Sequence, residues 1–334
     1  MDDGLVLGAY ALFSGVPDDE LVEAYHELEA QPLVGALEMP LAEALGERPC
    51  LGAVRHGLPG VVADSWDVVI TCIPTVMGTL ASDPRYGLAS TDTDGRQAAV
   101  ADVRKALHLA RATADSSGRR RIRAIEVHSA PTRTLASPAA FETSLRELLE
   151  VEAAGAALVV EHCDATRPGR NAEKGFLEIT EELAVVSAIS DDRLGLSVNW
   201  GRSAIEGRSA ATPVEHVALA AGAGRLSGIM FSGASAAAGP WGDSWSDGHI
   251  APRGAGATDS AWSESLLGAD EIRATIAAAG NVPGLLGVKV TAGPAGTPVS
   301  ARLLVASRSL RLVARAAALV RDPLMPQKDA GQGS

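Results

Sequence analysis

Eight short apolar runs, each followed by a stretch of helical periodicity, limit what this chain can fold into more than any other feature. The runs lie at 5–12, 35–40, 67–74, 123–131, 157–165, 194–200, 226–232 and 285–291. Several are rich in Val, Ile and Leu, as strands covered on both faces are. Between them, apolar residues such as Val100, Val103, Leu107 and Ala110 recur every three or four positions. This spacing predicts helices opening at 17–20 (stripe Leu21, Val22, Tyr25, Leu28) and over 96–114, 138–151 and 176–189. Further helices are predicted from Thr212-Pro213 and over 259–279 and 299–320. Strands and helices alternating at near-constant spacing predict an α/β protein built as a single (β/α)₈ TIM barrel spanning 1–321. A doubly wound sheet is the competing architecture. It would carry a glycine-rich first turn such as GxGxxG, and the segment from Gly8 to Gly15 is not one. The polar segment 322–334 is expected to be a disordered tail.

The chain has 334 residues, 46% of them hydrophobic and 21% charged, enough apolar material for a large core. A net charge of −12 argues against nucleic acid as a partner, because phosphate binding needs a basic face. The one basic run, Arg119-Arg120-Arg121 with Arg123, reads as a solvated loop before a strand. Cys50, Cys72 and Cys163 form no CxxC pair and suit a reducing compartment. Asp2 and Asp3 stand where a signal peptide would be positive, and no apolar run is long enough to span a bilayer. The expectation is a cytoplasmic protein with no membrane partner, free to form a homo-oligomer.

Chemistry in such a barrel gathers at the C-terminal strand ends, and alternation assigns the faces. Placing Leu37, Met39, Ile125, Val127, Leu158, Val160, Leu196, Val198, Val288 and Val290 against the helices turns Glu38, Glu126, His128, Val159, Glu161, Cys163, Ser197, Asn199 and Lys289 inward. Met230 and Ser232 join them from the seventh strand. The third strand sends in either Thr71 or Cys72, and the pattern does not choose between them. His162 and Asp164 are expected at the rim as loop-anchoring groups. Structural ion pairing competes with ligand binding for any one of these charges, but a set converging from independent strands points to a ligand site. Two loops favour that reading. The segment from Asn199 to Arg208 is rich in donors, Arg202 and Arg208 among them, and 232–252 is long enough for a lid or binding loop. Trp241 and Trp245 are placed to stack on a sugar ring, and Asp243 or His249 to reach a substrate.

The strand endings GALEMP, ITCIP, EVHSAPT and LVVEHCDA, with EKGFLEI, SVNWGRSAIEGRS and GIMFSGAS, resemble the family named domain of unknown function 4862 over nearly the whole chain. That family is grouped with the xylose-isomerase-like TIM barrels, which include sugar isomerases, epimerases and an endonuclease of abasic DNA. The wider resemblance implies a divalent metal held by acids and a His at the ends of the fifth to eighth strands. Only Glu161 matches. Asn199 stands where an Asp is implied, Ser232 or Phe231 where a His is, and Lys289 where a Glu is, so the usual ligand set is incomplete. A displaced metal site on Glu161, Glu126 and His128 is the alternative.

These readings combine into an isomerase- or epimerase-like enzyme that abstracts a proton next to the carbonyl of a sugar or sugar acid. Glu161 is then the base, Lys289 the stabiliser of enolate charge and His128 an acid/base partner. Glu38, Glu126, Asn199, Arg202, Arg208, Ser232, Trp241 and His249 are the substrate contacts. No cofactor is certain from the sequence, and a divalent metal stays open although its usual ligand set is incomplete. A metal-free sugar lyase, with a Schiff base on Lys289 as one form, and a non-catalytic carbohydrate-binding barrel are the competing readings. The endonuclease activity is disfavoured by the acidic chain and the incomplete metal set.

Overall fold

In a computed structural model of the chain, all eight strands are parallel and close on themselves in sequence order, β1-β2-β3-β4-β5-β6-β7-β8. The structure describes residues 4–256, 262–294 and 296–321. The strands are β1 (Leu5–Leu7), β2 (Val34–Pro40), β3 (Asp67–Thr71), β4 (Ile122–Val127), β5 (Ala157–His162), β6 (Leu194–Asn199), β7 (Leu226–Phe231) and β8 (Leu285–Val288). The helices that cover them are α1 (Ala9–Leu12), α2 (Leu21–Leu28), α3 (Leu41–Ala44), α4 (Ile73–Leu80), α5 (Thr93–Ser117) and α6 (Pro138–Leu149). They continue with α7 (Ile179–Ile189), α8 (Trp200–Gly207), α9 (Thr212–Gly222), α10 (Ala269–Ala278) and α11 (Val299–Arg321). Among the described residues no helix is long and apolar enough to cross a membrane. The predicted tail at 322–334 and the predicted helix start at Asp259 lie outside the described residues.

Local chemistry sets the boundaries. The Asp92 carboxylate caps α5 by accepting from Gly95 N at 2.8 Å, and Ser137 caps α6 through Ala140 N at 3.1 Å, with Pro138 at the first helical position. On α2 the buried stripe is Leu21, Ala24, Tyr25 and Leu28, while Val22 faces outward. The first strand ends at Leu7 rather than Leu12, because the chain turns at Gly8 into α1. The segment after β6, expected as a loop, is the helix α8. Asn199 caps it, its side chain accepting from Arg202 N at 3.4 Å. A Cβ on Gly201 would lie 2.6 Å from Ser232 O, so only glycine lets α8 lie this close to the end of β7.

Two apolar layers result. Val6, Ala36, Val69, Ala124, Val159 and Met230 fill the barrel axis. Leu37, Met39, Ile125, Val127, Leu158, Val160, Leu196, Val198 and Val288 belong to the much larger layer between sheet and helices. The alternation drawn from the sequence therefore holds, and it decides the third strand. Cys72 packs in the outer layer, and Thr71 shares the parity of inward Val69. Along each strand the inward residues change from apolar to polar toward the C-terminal end: Ala36 to Glu38, Ala124 to Glu126 and His128, Val159 to Glu161, Met230 to Ser232, Gly287 to Lys289.

Candidate active site

Glu161 sits at the centre of the polar end of the barrel. Its Oε2 meets His128 Nε2 at 2.8 Å and accepts from Arg202 Nη1 at 2.6 Å, and its Oε1 accepts from Asn199 Nδ2 at 3.1 Å. Burial alone would raise this carboxyl, but Arg202, Lys289 and His128 hold it well below the usual carboxylate range. It is therefore ionised. Burial holds His128 below its ordinary value in spite of Glu161, so the imidazole is neutral, and its Nδ1 has no hydrogen-bond partner among the described residues.

Lys289 stands across the axis. Its Nζ donates to Glu38 Oε1 at 2.7 Å and lies 5.0 Å from the centre of the Tyr10 ring, whose hydroxyl donates to the same Glu38 oxygen at 3.4 Å. Burial works against the ammonium, but Glu38, Tyr10 and Glu161 keep it charged, well above the ordinary lysine value. Glu126 differs. Burial, reinforced by Glu161 and Glu38, pushes it well above the carboxylate range, and its one hydrogen bond among the described residues comes from Ser197 Oγ at 3.1 Å. Gly8 makes room for the pair on β8 and β2, since a Cβ there would lie 2.9 Å from Lys289 Cγ and 3.2 Å from Glu38 Oε2. Beside Tyr10, a groove of about 580 Å³ opens over the ends of β1 to β3, lined also by Pro40, Glu43, Arg48 and Pro74.

The long segment after β7 is ordered and folds back over the mouth. Gly233 and Ile250 pair in both directions (2.7 and 3.1 Å), and Thr291 N donates to His249 O at 2.8 Å. Asp247 lies in its return arm, with Oδ2 accepting from Arg202 Nε at 3.1 Å and from Lys174 Nζ at 3.0 Å. His249 Nδ1 is 2.8 Å from Ser232 Oγ, and burial lowers its pKa to about 4. The other predicted contacts of this loop are engaged elsewhere. Trp241 stacks on Trp262 at 4.1 Å, Trp245 receives the Arg208 guanidinium at 5.2 Å, and Asp243 is exposed. Arg208 Nη2 donates to Asn171 O at 3.1 Å.

Cys163 packs in the larger apolar layer with its Sγ 3.3 Å from Arg202 Nη1, and burial pushes its thiol above the ordinary range. Asp164 anchors the loop after β5, its Oδ2 accepting from Glu173 N at 2.6 Å and Lys174 N at 3.0 Å. His162 is fully buried rather than at the rim. It bridges Glu182 of α7 (Nδ1, 2.7 Å) and Glu206 of α8 (Nε2, 3.1 Å). Three members of the cluster escaped the sequence reading. Asp247 and Lys174 come from irregular loops where periodicity gives no face, and Tyr10 lies in a run read as strand. The Asp-Gly at 247–248 was the available signal for a turn there.

The family model for "Domain of unknown function (DUF4862)" matches residues 6–305. The chain belongs to this family. A Salmonella typhimurium (strain LT2) relative, "Uncharacterized protein STM3670", is 34% identical over 239 residues, which is 69% of this chain and 73% of that protein. Among solved structures, the IOLI protein "with a binding zinc atom" superposes with a TM-score of 0.58 at 12% identity, covering 96% of this chain and 99% of its own. L-ribulose 3-epimerase gives 0.55 at 14% identity, covering 97% and 99%. A xylose isomerase-like TIM barrel/4-hydroxyphenylpyruvate dioxygenase fusion protein gives 0.61 at 12%, covering 98% and 45%. At these identities the likeness is one of fold, and the fold is that of the xylose-isomerase-like TIM barrels.

That fold implies a divalent cation, and the residues of this DUF4862 chain do not fit one. At the ends of β5 to β8 stand Glu161, Asn199, Ser232 and Lys289, a single anion among them. A hard cation needs several anionic oxygens or imidazoles. Two fixed cations, Arg202 and Lys289, lie beside Glu161 instead. His128, Glu161 and Cys163 have donor atoms within 4.8 Å of one another, but Arg202 Nη1 already bonds both Glu161 and Cys163. Glu126, the third ligand of the displaced site, is not one of that group. In the His162, Glu206 and His216 group, burial opposes the charge on His162, but Glu182 and Glu206 raise its pKa to about 10. The imidazolium has no lone pair to offer.

Proposed function

We propose that the chain is a carbohydrate-active enzyme of the isomerase or epimerase type, working by proton abstraction next to a carbonyl at the C-terminal face of the barrel. The observation that carries this reading is the opposite tuning of two carboxyls in one buried cluster. Glu161 is held ionised by Arg202, Lys289 and His128, while burial and its acidic neighbours keep Glu126 protonated. Groups whose surroundings drive their pKa values apart are the usual acid and base of such a site. Glu161 takes the proton. Its basicity is low while Arg202 donates to it, and rises when the substrate carbonyl oxygen draws that donor away. Arg202 and Lys289 then stabilise the enolate oxygen in a site closed to water. His128 or Glu126 returns the proton.

Orphaned polar atoms support a polyhydroxylated substrate. Glu38 Oε2, Glu126 Oε2 and His128 Nδ1 are buried without partners among the described residues, and sugar hydroxyls supply what such atoms need. Lys289 is held charged, so the free amine required by the Schiff-base lyase is suppressed. Relatives of the fold include L-ribulose 3-epimerase, in line with this chemistry. The test is Glu161→Gln assayed on a panel of sugars and sugar acids. Turnover is expected to fall by roughly 10²–10⁴-fold with ligand affinity retained. A wild-type protein that binds a sugar and never turns it over is a binding barrel, and the proposal then fails.

A further inference from the structure

The lid carboxylate Asp247 is bound as a ligand would be. One oxygen is shared by two cations from different elements, Arg202 Nε at 3.1 Å and Lys174 Nζ at 3.0 Å, and the three side chains are 2–10% exposed. The two cations are fixed from below. Arg202 is held on α8 by its bonds to Glu161 and Cys163. Lys174 is held by Asp164, which binds its backbone N–H, and by the turn at Gly175 (φ +68°), where a Cβ would lie 2.9 Å from Thr166 Oγ1. Asp247 is held differently: its Oδ1 lies 3.2 Å from His249 Nδ1, and the arm that carries it is tied through His249 O, which accepts from Thr291 N at 2.8 Å. It sits in the 232–252 segment between two non-glycine residues in the left-handed region, Trp245 (φ 63°) and His249 (φ 49°), each costing roughly 1 kcal/mol.

We infer that Asp247 stands in for the carboxylate of the substrate, and that Arg202 and Lys174 form the anion-binding end of a site for sugar acids. The inference rests on the proposed reading of this mouth as a sugar site. Charge balance carries it. In the closed cluster the ion pairs are Arg202 with Glu161 and Asp247, Lys174 with Asp247, and Lys289 with Glu38, and His249 Nδ1 lies 3.2 Å from Asp247 Oδ1. The return arm lies over Arg202 and Lys174, and lifting it to admit a substrate removes one negative charge from two desolvated cations. Lys174 then loses its ion pair and Arg202 keeps only Glu161, and leaving buried cations underpaired is costly, so an incoming ligand that brings one anion is favoured. A carboxylate restores the balance and matches the group it displaces. A phosphate dianion overcharges the site, and a neutral sugar leaves it unpaired. Bound there, the carboxylate places the neighbouring carbons of the substrate over Glu161, which shares Arg202 with it.

The test measures binding, not turnover. The full chain, as wild type, Asp247→Ala and Lys174→Met, is titrated with glucuronate, gluconate, glucose and glucose 6-phosphate by calorimetry and thermal shift. In parallel, the melting temperature of Asp247→Ala is measured against acetate and acetamide. Acids are expected to bind wild type better than glucose and glucose 6-phosphate. They should bind Asp247→Ala about tenfold tighter still, because the internal competitor is gone. Lys174→Met should lose the preference for acids. Acetate, and not acetamide, should raise the melting temperature of Asp247→Ala. Equal effects of acetate and acetamide would overturn the inference even where no sugar binds, and so would glucose or glucose 6-phosphate outranking the acids. Turnover of neutral sugars without any preference for acids would overturn it and leave the proton-abstraction reading standing. Acid binding without turnover would do the reverse.

Discussion

Arg202 shows how much one side chain organises here. Its guanidinium reaches Glu161, Cys163 and Asp247, so it couples the candidate base to the lid, and no lysine could span those partners. Behind the barrel wall His162 plays a matching structural part between Glu182 and Glu206, with Arg167 also on Glu206 and the neutral His216 ring 5.0 Å away. Its folded pKa of about 10 lies above the unfolded value near ~6.5. The contribution of a raised imidazole is complete below the unfolded pKa and is lost as pH climbs toward the folded one. The unfolding free energy from urea titration should therefore fall more between pH 6 and pH 9.5 for the wild type than for His162→Asn, by an amount on the order of a few kcal/mol. An equal fall in both proteins would remove His162 from the account. At this scale the inward carboxylates, His128, Asn199 and Lys289 were legible from alternation alone, because a strand fixes the face of every second residue. Asp247 and Lys174 were not, because a loop side chain is placed by long-range contacts that leave no local period.

At the level of elements, the site depends on how closely the strand ends and the short helices beyond them approach. Gly8 ends β1 with an ordinary φ of −74°, so its value is space rather than conformation. Gly8→Ala would press a methyl group on Lys289 and Glu38 without straining the backbone. The expected result is a destabilisation of about 1–3 kcal/mol by denaturant titration and a loss of turnover of tenfold or more, as small misplacements of reacting groups produce. Full activity would show that the Lys289–Glu38 pair has no catalytic part. The helix α8 illustrates why some elements were hidden. Its sequence, Trp-Gly-Arg-Ser-Ala-Ile-Glu-Gly, has glycines and a serine that favour a loop, and it is only eight residues long. It is held by tertiary contacts such as Trp200 Nε1 to Thr275 Oγ1 at 3.1 Å, which a local reading does not see.

For the whole molecule, closure is the decisive event, and β8 meets β1 at a narrow seam. Gly287 pairs with Val6, and a Cβ there would lie 2.2 Å from Val6 O. Gly287→Ala should therefore destabilise the barrel by several kcal/mol, on the order of the largest overpacking effects. A thermal melt close to that of the wild type would contradict that packing. The barrel itself was legible because its eightfold alternation is a property of the entire chain, and it tolerates errors of a few residues at each boundary. The chemistry was legible only in part, because it depends on which charges neutralise one another at the mouth. The central claim is that Arg202 and Lys289 supply the positive charge that a divalent cation would otherwise bring. Elemental analysis of the purified full-length protein tests it most directly. The account predicts far less than one equivalent of Mg, Mn, Zn, Fe or Co per chain, unchanged in Glu161→Gln. One equivalent of such a metal, lost in Glu161→Gln, would contradict it.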